Sequence, residues 1–154
     1  MTQTPSNVDS LAQDVRIYLF RESAATARVP QALEISHALG RKESEVRTAL
    51  HELAAAKVLI LAPNGTSIWA ANPFCAVPSG FRVVTANKKF WGICIWDALG
   101  IAAALDSDAV ITAPCGDCGE EMTMELRDRK LVQSEGVVHF AIPAHQWWDN
   151  IGFT

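Results

Sequence analysis

Apolar positions recur at helical spacing three times in the first 70 residues. In VDSLAQDVRIYLFRES, the positions Val8, Leu11, Val15, Tyr18 and Leu19 form one stripe. PQALEISHALG offers Leu33, Ile35 and Leu39, with Pro30 expected in the first helical turn and Gly40 as the stop. KESEVRTALHELAAAKVLI repeats the pattern through Val46, Leu50 and Leu53. Two short apolar runs then flank Asn64-Gly65 in KVLILAPNGTSIWAA, a hairpin signal because both residues tolerate positive φ. Three helices and a hairpin predict a winged-helix-like module over residues 1–71.

The pattern changes at NPFCAVPSGFRVVTANKKF, where Pro73 and Pro78 interrupt regular structure and FRVV resumes an extended run. A second module is expected over residues 72–154. Asn87-Lys88-Lys89 reads as a turn, and FWGICIWDALGIAAAL as an apolar helix. DAVITAP predicts a strand. EEMTMELRDRKLV alternates Met122, Met124 and Leu126 with polar neighbours, as a half-buried strand does. GVVHFAIP predicts another strand, and AHQWWDNIGFT begins helical or turn-like. The second module is thus one or more helices on a small mixed sheet. The fold class is α+β, a winged-helix-like module followed by a small mixed α/β domain.

Composition narrows the setting. With 154 residues and 49% hydrophobic content, the chain can bury a substantial core. Charged residues are only 19%, which hints at a partner surface. The formal net charge is −4; charges balance over the first 70 residues, and the remainder carries the acidic excess. Neither part has the basic field of a nonspecific nucleic-acid binder. The third helix offers Arg41, Lys42, Arg47 and His51, but also Glu43, Glu45 and Glu52. DNA binding is therefore the weaker reading of the first module, and packing or homodimerisation the stronger. No apolar run is long enough to span a bilayer. The N-terminus lacks the basic start and apolar core of an export signal. Four cysteines do not make a disulfide-dense pattern, so a reducing cytoplasm is the expected location.

The candidate chemistry lies in the second module. Cys94 and Asp97 are spaced i and i+3, which on a helix puts a thiol and a carboxylate on one face. A thiolate is a soft metal ligand and a nucleophile, and a nearby carboxylate can take or return a proton. Cys94 also reads as a small buried hydrophobe, and Asp97 as a cap at the helix start or a solvent-facing residue. Cys115 and Cys118 form one C-x2-C, in APCGDCGEE. Soft-metal binding by Cys94, Cys115 and Cys118 is the site expectation. A structural zinc would need further ligands from Cys75, His139 or His145. Cys75, between two prolines, reads as boundary packing. Phe90, Trp91 and Trp96 are expected to pack around the Cys94 helix and could wall an organic group, as could Trp147 and Trp148.

NPFCAVPSGFRVV, FWGICIWDALGI, VITAPCGDCGEEMTMEL and WWDNIGF together resemble the alkylmercury lyase family, over the chain from about Asn72 onward. The winged-helix-like first module also suits that family. The resemblance implies protonolysis of carbon–mercury bonds without a cofactor, mercury being substrate or product. It implies that Cys94 binds mercury and that Asp97 shuttles the proton. Cys115 matches a family cysteine thought structural, and Cys118 is an extra thiol. A second catalytic cysteine is expected in a late strand, shortly after a phenylalanine like Phe153, just where this sequence reaches Thr154; the expectation is a fragment or a protein lacking that residue. The alternative reading is a noncatalytic soft-metal-binding or metal-responsive DNA-binding protein.

Overall fold

The computed structural model describes residues 7–133, 136–140 and 142–151. The chain divides into two compact units, Met1–Asn72 and Pro73–Thr154.

In the first unit, α1 (Asn7–Thr26), α2 (Ala32–Leu39) and α3 (Glu43–Ala55) follow the three apolar stripes. Leu11, Val15, Leu19, Ile35, Val46, Leu50 and Leu53 are all buried. Pro30 lies one residue ahead of the cap rather than in the first turn, because Gln31 is the N-cap residue of α2. The Gln31 backbone N–H donates to Glu34 at 2.8 Å, and its side-chain amide exchanges two hydrogen bonds with the Ile68 backbone. Gly40 closes α2 at φ +61°. Strands β1 (Ile60–Leu61) and β2 (Ile68–Ala71) pair antiparallel. Between them only Gly65 takes positive φ; Asn64 instead accepts the N–H groups of Thr66 and Ser67 on its side-chain oxygen.

The second unit holds β3 (Phe74–Cys75), β4 (Phe81–Val84), β5 (Lys89–Gly92), α4 (Ile95–Leu105), β6 (Ala109–Pro114), β7 (Glu121–Arg127), β8 (Lys130–Gln133) and a 3-10 turn over Ala144–Asp149. The last five strands form one sheet in the order β5-β4-β6-β7-β8. Every pairing in it is antiparallel, which replaces the expected mixed sheet. Short turns join β4 to β5, β6 to β7 and β7 to β8, and only antiparallel neighbours can be joined that way. Phe90, Val83, Ile111 and Met124 align across four strands as one buried row. Helix α4 packs on this sheet, burying Ala98, Ile101 and Ala102.

Three expectations are corrected. Lys89 opens a strand, β5, rather than ending a turn before the helix. EEMTMELRDRKLV is two strands, folded back at Asp128-Arg129, both at positive φ. GVVHFAIP is not a strand among its described residues; Val137 is 92% exposed, so its β-branched run has no sheet face to bury against.

Candidate active site

The β5–α4 corner carries the thiol and the carboxylate. The apolar run from Phe90 to Trp96 does not stay helical, because β5 must pair with β4 as far as Gly92, opposite Phe81. Helix α4 therefore starts at Ile95. Cys94 is its N-cap residue, in extended backbone conformation, and its carbonyl accepts the Ala98 N–H at 3.1 Å. This corrects the expectation of two side chains inside one helix. The i, i+3 relation survives as that of a cap residue and the third helical position.

Asp97 folds back over the cap. Its carboxylate accepts the Ile93 N–H at 3.3 Å and the Cys94 thiol at 3.6 Å. Burial pushes the Asp97 carboxyl above the usual aspartate range, although the Ile93 N–H, the Cys94 thiol and the Cys94 N–H pull the other way. Burial also pushes the Cys94 thiol up, helped by the neighbouring Asp97 charge and opposed by the amides of Asp97 and Trp96. Burial thus biases each group toward its neutral form, and the Cys94 thiol donates a hydrogen bond to the Asp97 carboxylate. A soft electrophile arriving at the sulfur releases a proton within hydrogen-bond reach of a carboxylate that retains it readily.

Residues not singled out in the sequence hold this corner. A side chain at Gly92 would put its Cβ 2.9 Å from the Ala98 nitrogen and 3.0 Å from the Asp97 Cβ, so only glycine fits. The Ser79 hydroxyl donates to the Gly92 carbonyl at 2.5 Å and accepts the Phe81 N–H at 3.1 Å, clasping β4 to the end of β5. Cys75, expected as boundary packing, is buried, and burial followed by the Asp97 charge pushes its thiol up. The available sequence signals were Pro-Ser-Gly before a strand and a glycine between two apolar runs.

The aromatic expectation divides. Phe90 is buried with its ring 5.8 Å from that of Phe74. Trp96 is 59% exposed and meets Phe140 edge-on at 6.1 Å, and Phe140 lies 5.0 Å from Trp147. These three rings stand together beside the first turn of α4.

Cys115 and Cys118 come together on the turn from β6 to β7, away from Cys94 in the chain. The Cys115 sulfur accepts the N–H groups of Cys118 and Asp117 and the Cys118 thiol, which lowers its pKa. Among the described residues no group of three or more His, Cys, Asp or Glu side chains could hold a metal ion. Cys94, Cys115 and Cys118 therefore do not form one three-ligand centre, and the structural zinc finds no third ligand there. His139 and His145 are exposed. Cys75, Cys94, Cys115 and Cys118 all have unbridged thiols. Phe153 and the cysteine expected after it lie outside the described residues. No described helix is long and apolar enough to cross a membrane.

No curated protein matches the chain. Among solved structures, the crystal structure of the mercury-bound form of MerB2 is similar in fold, with a TM-score of 0.65 at 17% identity over 86% of this chain. The chain spans 61% of the length of that protein. The family model for MerB, alkylmercury lyase, matches residues 74–154, just over half of the chain and including both Cys94 and Asp97. With the second unit matched almost from end to end, the chain belongs to the alkylmercury lyase family.

Proposed function

We propose that this protein is an organomercurial lyase, splitting carbon–mercury bonds by protonolysis, with Cys94 as mercury ligand and Asp97 as proton relay. The observation that carries the reading is the 3.6 Å contact from the Cys94 thiol to the Asp97 carboxylate, in a chain of this family. In the reaction the soft mercury of R–Hg–X binds the Cys94 sulfur, and the thiol proton passes to Asp97. Asp97 then returns that proton to the carbon as the carbon–mercury bond breaks. The products are R–H and Cys94–S–Hg–X; mercury remains in its +2 state, and no cofactor is required. Trp96, Phe140 and Trp147 supply an apolar wall for R. A reducing compartment such as the cytoplasm keeps the thiols available.

The test is incubation with phenylmercuric acetate and excess monothiol, with released benzene measured. Cys94→Ser should abolish release while leaving the fold intact. Unchanged release from a folded Cys94→Ser protein, or none from the unaltered chain, overturns the proposal.

A metal-responsive DNA-binding role draws on the first unit, whose three helices and hairpin we read as winged-helix-like. Arg47 weighs against it. Its guanidinium donates to Glu43 at 2.9 Å and to the Thr66 carbonyl at 3.1 Å, so its charge is already answered. Fluorescence anisotropy of labelled genomic fragments, with and without mercuric ion, rejects that role if no binding occurs in either state.

A further inference from the structure

The Cys115–Cys118 turn has the organisation of half a metal-binding knuckle. The Gly119 N–H donates to the Cys115 carbonyl at 2.9 Å, and the Cys115 N–H to the Glu120 carbonyl at 2.7 Å. Gly119 sits at φ +78°, which lets the chain reverse immediately after the second thiol. The amides of Cys118 and Asp117, with the Cys118 thiol, hold the Cys115 thiol below the usual cysteine range. Cys118 is exposed and Cys115 half-buried, so an ion reaches both. Four-ligand zinc chemistry is unsupported among the described residues. Two thiols carried on one tight turn suit a soft cation content with two ligands.

The sheet register fixes where this pair stands. Gly92, at the end of β5, lies opposite Phe81 at the start of β4. Arg82 lies opposite Thr112 in β6, so the end of β6 is at that same edge of the sheet. A Cβ built on Gly80 would fall 3.2 Å from the Pro114 side chain, immediately before Cys115. The strand ends leading to Cys94 and to Cys115 thus flank β4 at one edge, about 10 Å apart by ordinary strand spacing.

We propose that Cys115 and Cys118 form a second, surface dithiol site that chelates a soft two-coordinate cation such as Hg(II) and receives it from Cys94. The receiving step rests on the lyase reading; chelation does not. The exchange is balanced. Cys94–S–Hg–X with the two thiols gives Cys115–S–Hg–S–Cys118, Cys94–SH and H–X. Two mercury–sulfur bonds form, the bonds to Cys94 and X break, and no electron is transferred. The freed Cys94 can then meet another substrate molecule.

Mercuric chloride titration of the Cys94→Ser protein, in the presence of a competing monothiol, tests chelation directly. A tight mercuric ion should remain bound, and Cys94→Ser/Cys115→Ser should hold it about 10²–10⁴-fold less tightly because the second thiol acts at a high effective concentration. Equal affinity with and without Cys115 and Cys118, as if the ion sat on Cys75, overturns the site. The receiving step is read from benzene released in buffer without added thiol. The unaltered chain should give a larger burst than Cys115→Ser/Cys118→Ser, and equal bursts overturn the transfer. Absence of benzene from both proteins is a failure of the lyase reading, and the titration still decides the dithiol.

Discussion

Substituting Gly92 by alanine puts the β5–α4 corner under a defined steric load. The added Cβ would lie 2.9 Å from the Ala98 nitrogen, 3.0 Å from the Asp97 Cβ and 3.1 Å from the Cys94 carbonyl oxygen. Two of these are backbone atoms of the first helical turn, and none is the free end of a flexible side chain. The helix must therefore move away from the strand, taking Cys94 and Asp97 with it. Overpacking of this kind costs about 1–3 kcal/mol, which in a chain of this size lowers Tm by roughly 2–12 °C. A shift of about 1 Å in a reacting group can cost about 10²-fold in rate. Gly100→Ala, in the interior of the same helix, is the control. Its nearest neighbour beyond the helix is the Pro73 side chain at 3.5 Å, an ordinary contact, so alanine should stabilise by about 0.5–1 kcal/mol. Thermal unfolding of both proteins, with benzene release measured below each Tm, separates the cases. If Gly92→Ala unfolds with unchanged Tm and retains full activity, the corner is looser than these distances imply and the reasoning fails.

Asp97→Asn should reduce benzene release by about 10²–10⁴-fold, the usual worth of a positioned proton-transfer group, while mercuric-ion binding at Cys94 changes only slightly; equal loss of both, with a lowered Tm, would make Asp97 a structural cap. The same variant reports linkage. The folded Asp97 pKa is raised, so the native state holds its proton longer than the unfolded chain, and the contribution to stability is fully present below the ordinary aspartate range and lost as pH rises through the raised folded value. The stability of the unaltered chain relative to Asp97→Asn, from urea melts, should fall across that window; a rise would refute the burial argument. At the β7–β8 turn, Asp128→Asn with Arg129→Gly should stabilise by roughly 1 kcal/mol, because both positions take positive φ and Asn-Gly accepts it best. The Arg129–Asp106 ion pair lost thereby is exposed and worth little, so a net destabilisation in the same urea melts would count against the turn assignment.

Much of the first unit was legible because its apolar residues repeat with helical period, and in α1 and α3 the repeat marks the buried stripe; in α2 only Ile35 of the expected anchors is buried, and Leu33 is exposed. The strand β7 was legible from alternation, and β4 and β6 from short apolar runs. Three features were not. Phe90 to Trp96 is apolar throughout, with no polar break to mark where strand yields to helix, so β5 was absorbed into the helix reading. Asp128-Arg129 lacks the glycine that would make it an Asp-Gly hairpin signal, so the reversal into β8 carried only the turn preference of one aspartate. Val137 and Val138 have strand propensity without a partner edge, and propensity alone did not make a strand.

The misplaced helix start matters for the chemistry. Within a helix interior, Cys94 would face only neighbouring side chains, its backbone amides being occupied by the helix itself. As the cap residue it stands where the first amides of α4 have no partner in the preceding turn. The amides of Trp96 and Asp97 favour its thiolate, while burial and the Asp97 charge favour its thiol. The two influences act at different moments. Before a ligand arrives burial prevails, and the sulfur keeps its proton beside the Asp97 oxygen. Once a soft cation replaces that proton, the adverse effect of burying a bare thiolate falls away, and the helix amides continue to stabilise the electron-rich sulfur. Asp97 meanwhile is the nearest acceptor for the displaced proton and is biased by its own burial to hold it. On the proposed lyase reading, a cysteine at the cap with an aspartate at the third helical position joins metal capture to proton storage in one turn of chain, an arrangement that Cys94 and Asp97 could not form one turn apart in the middle of α4.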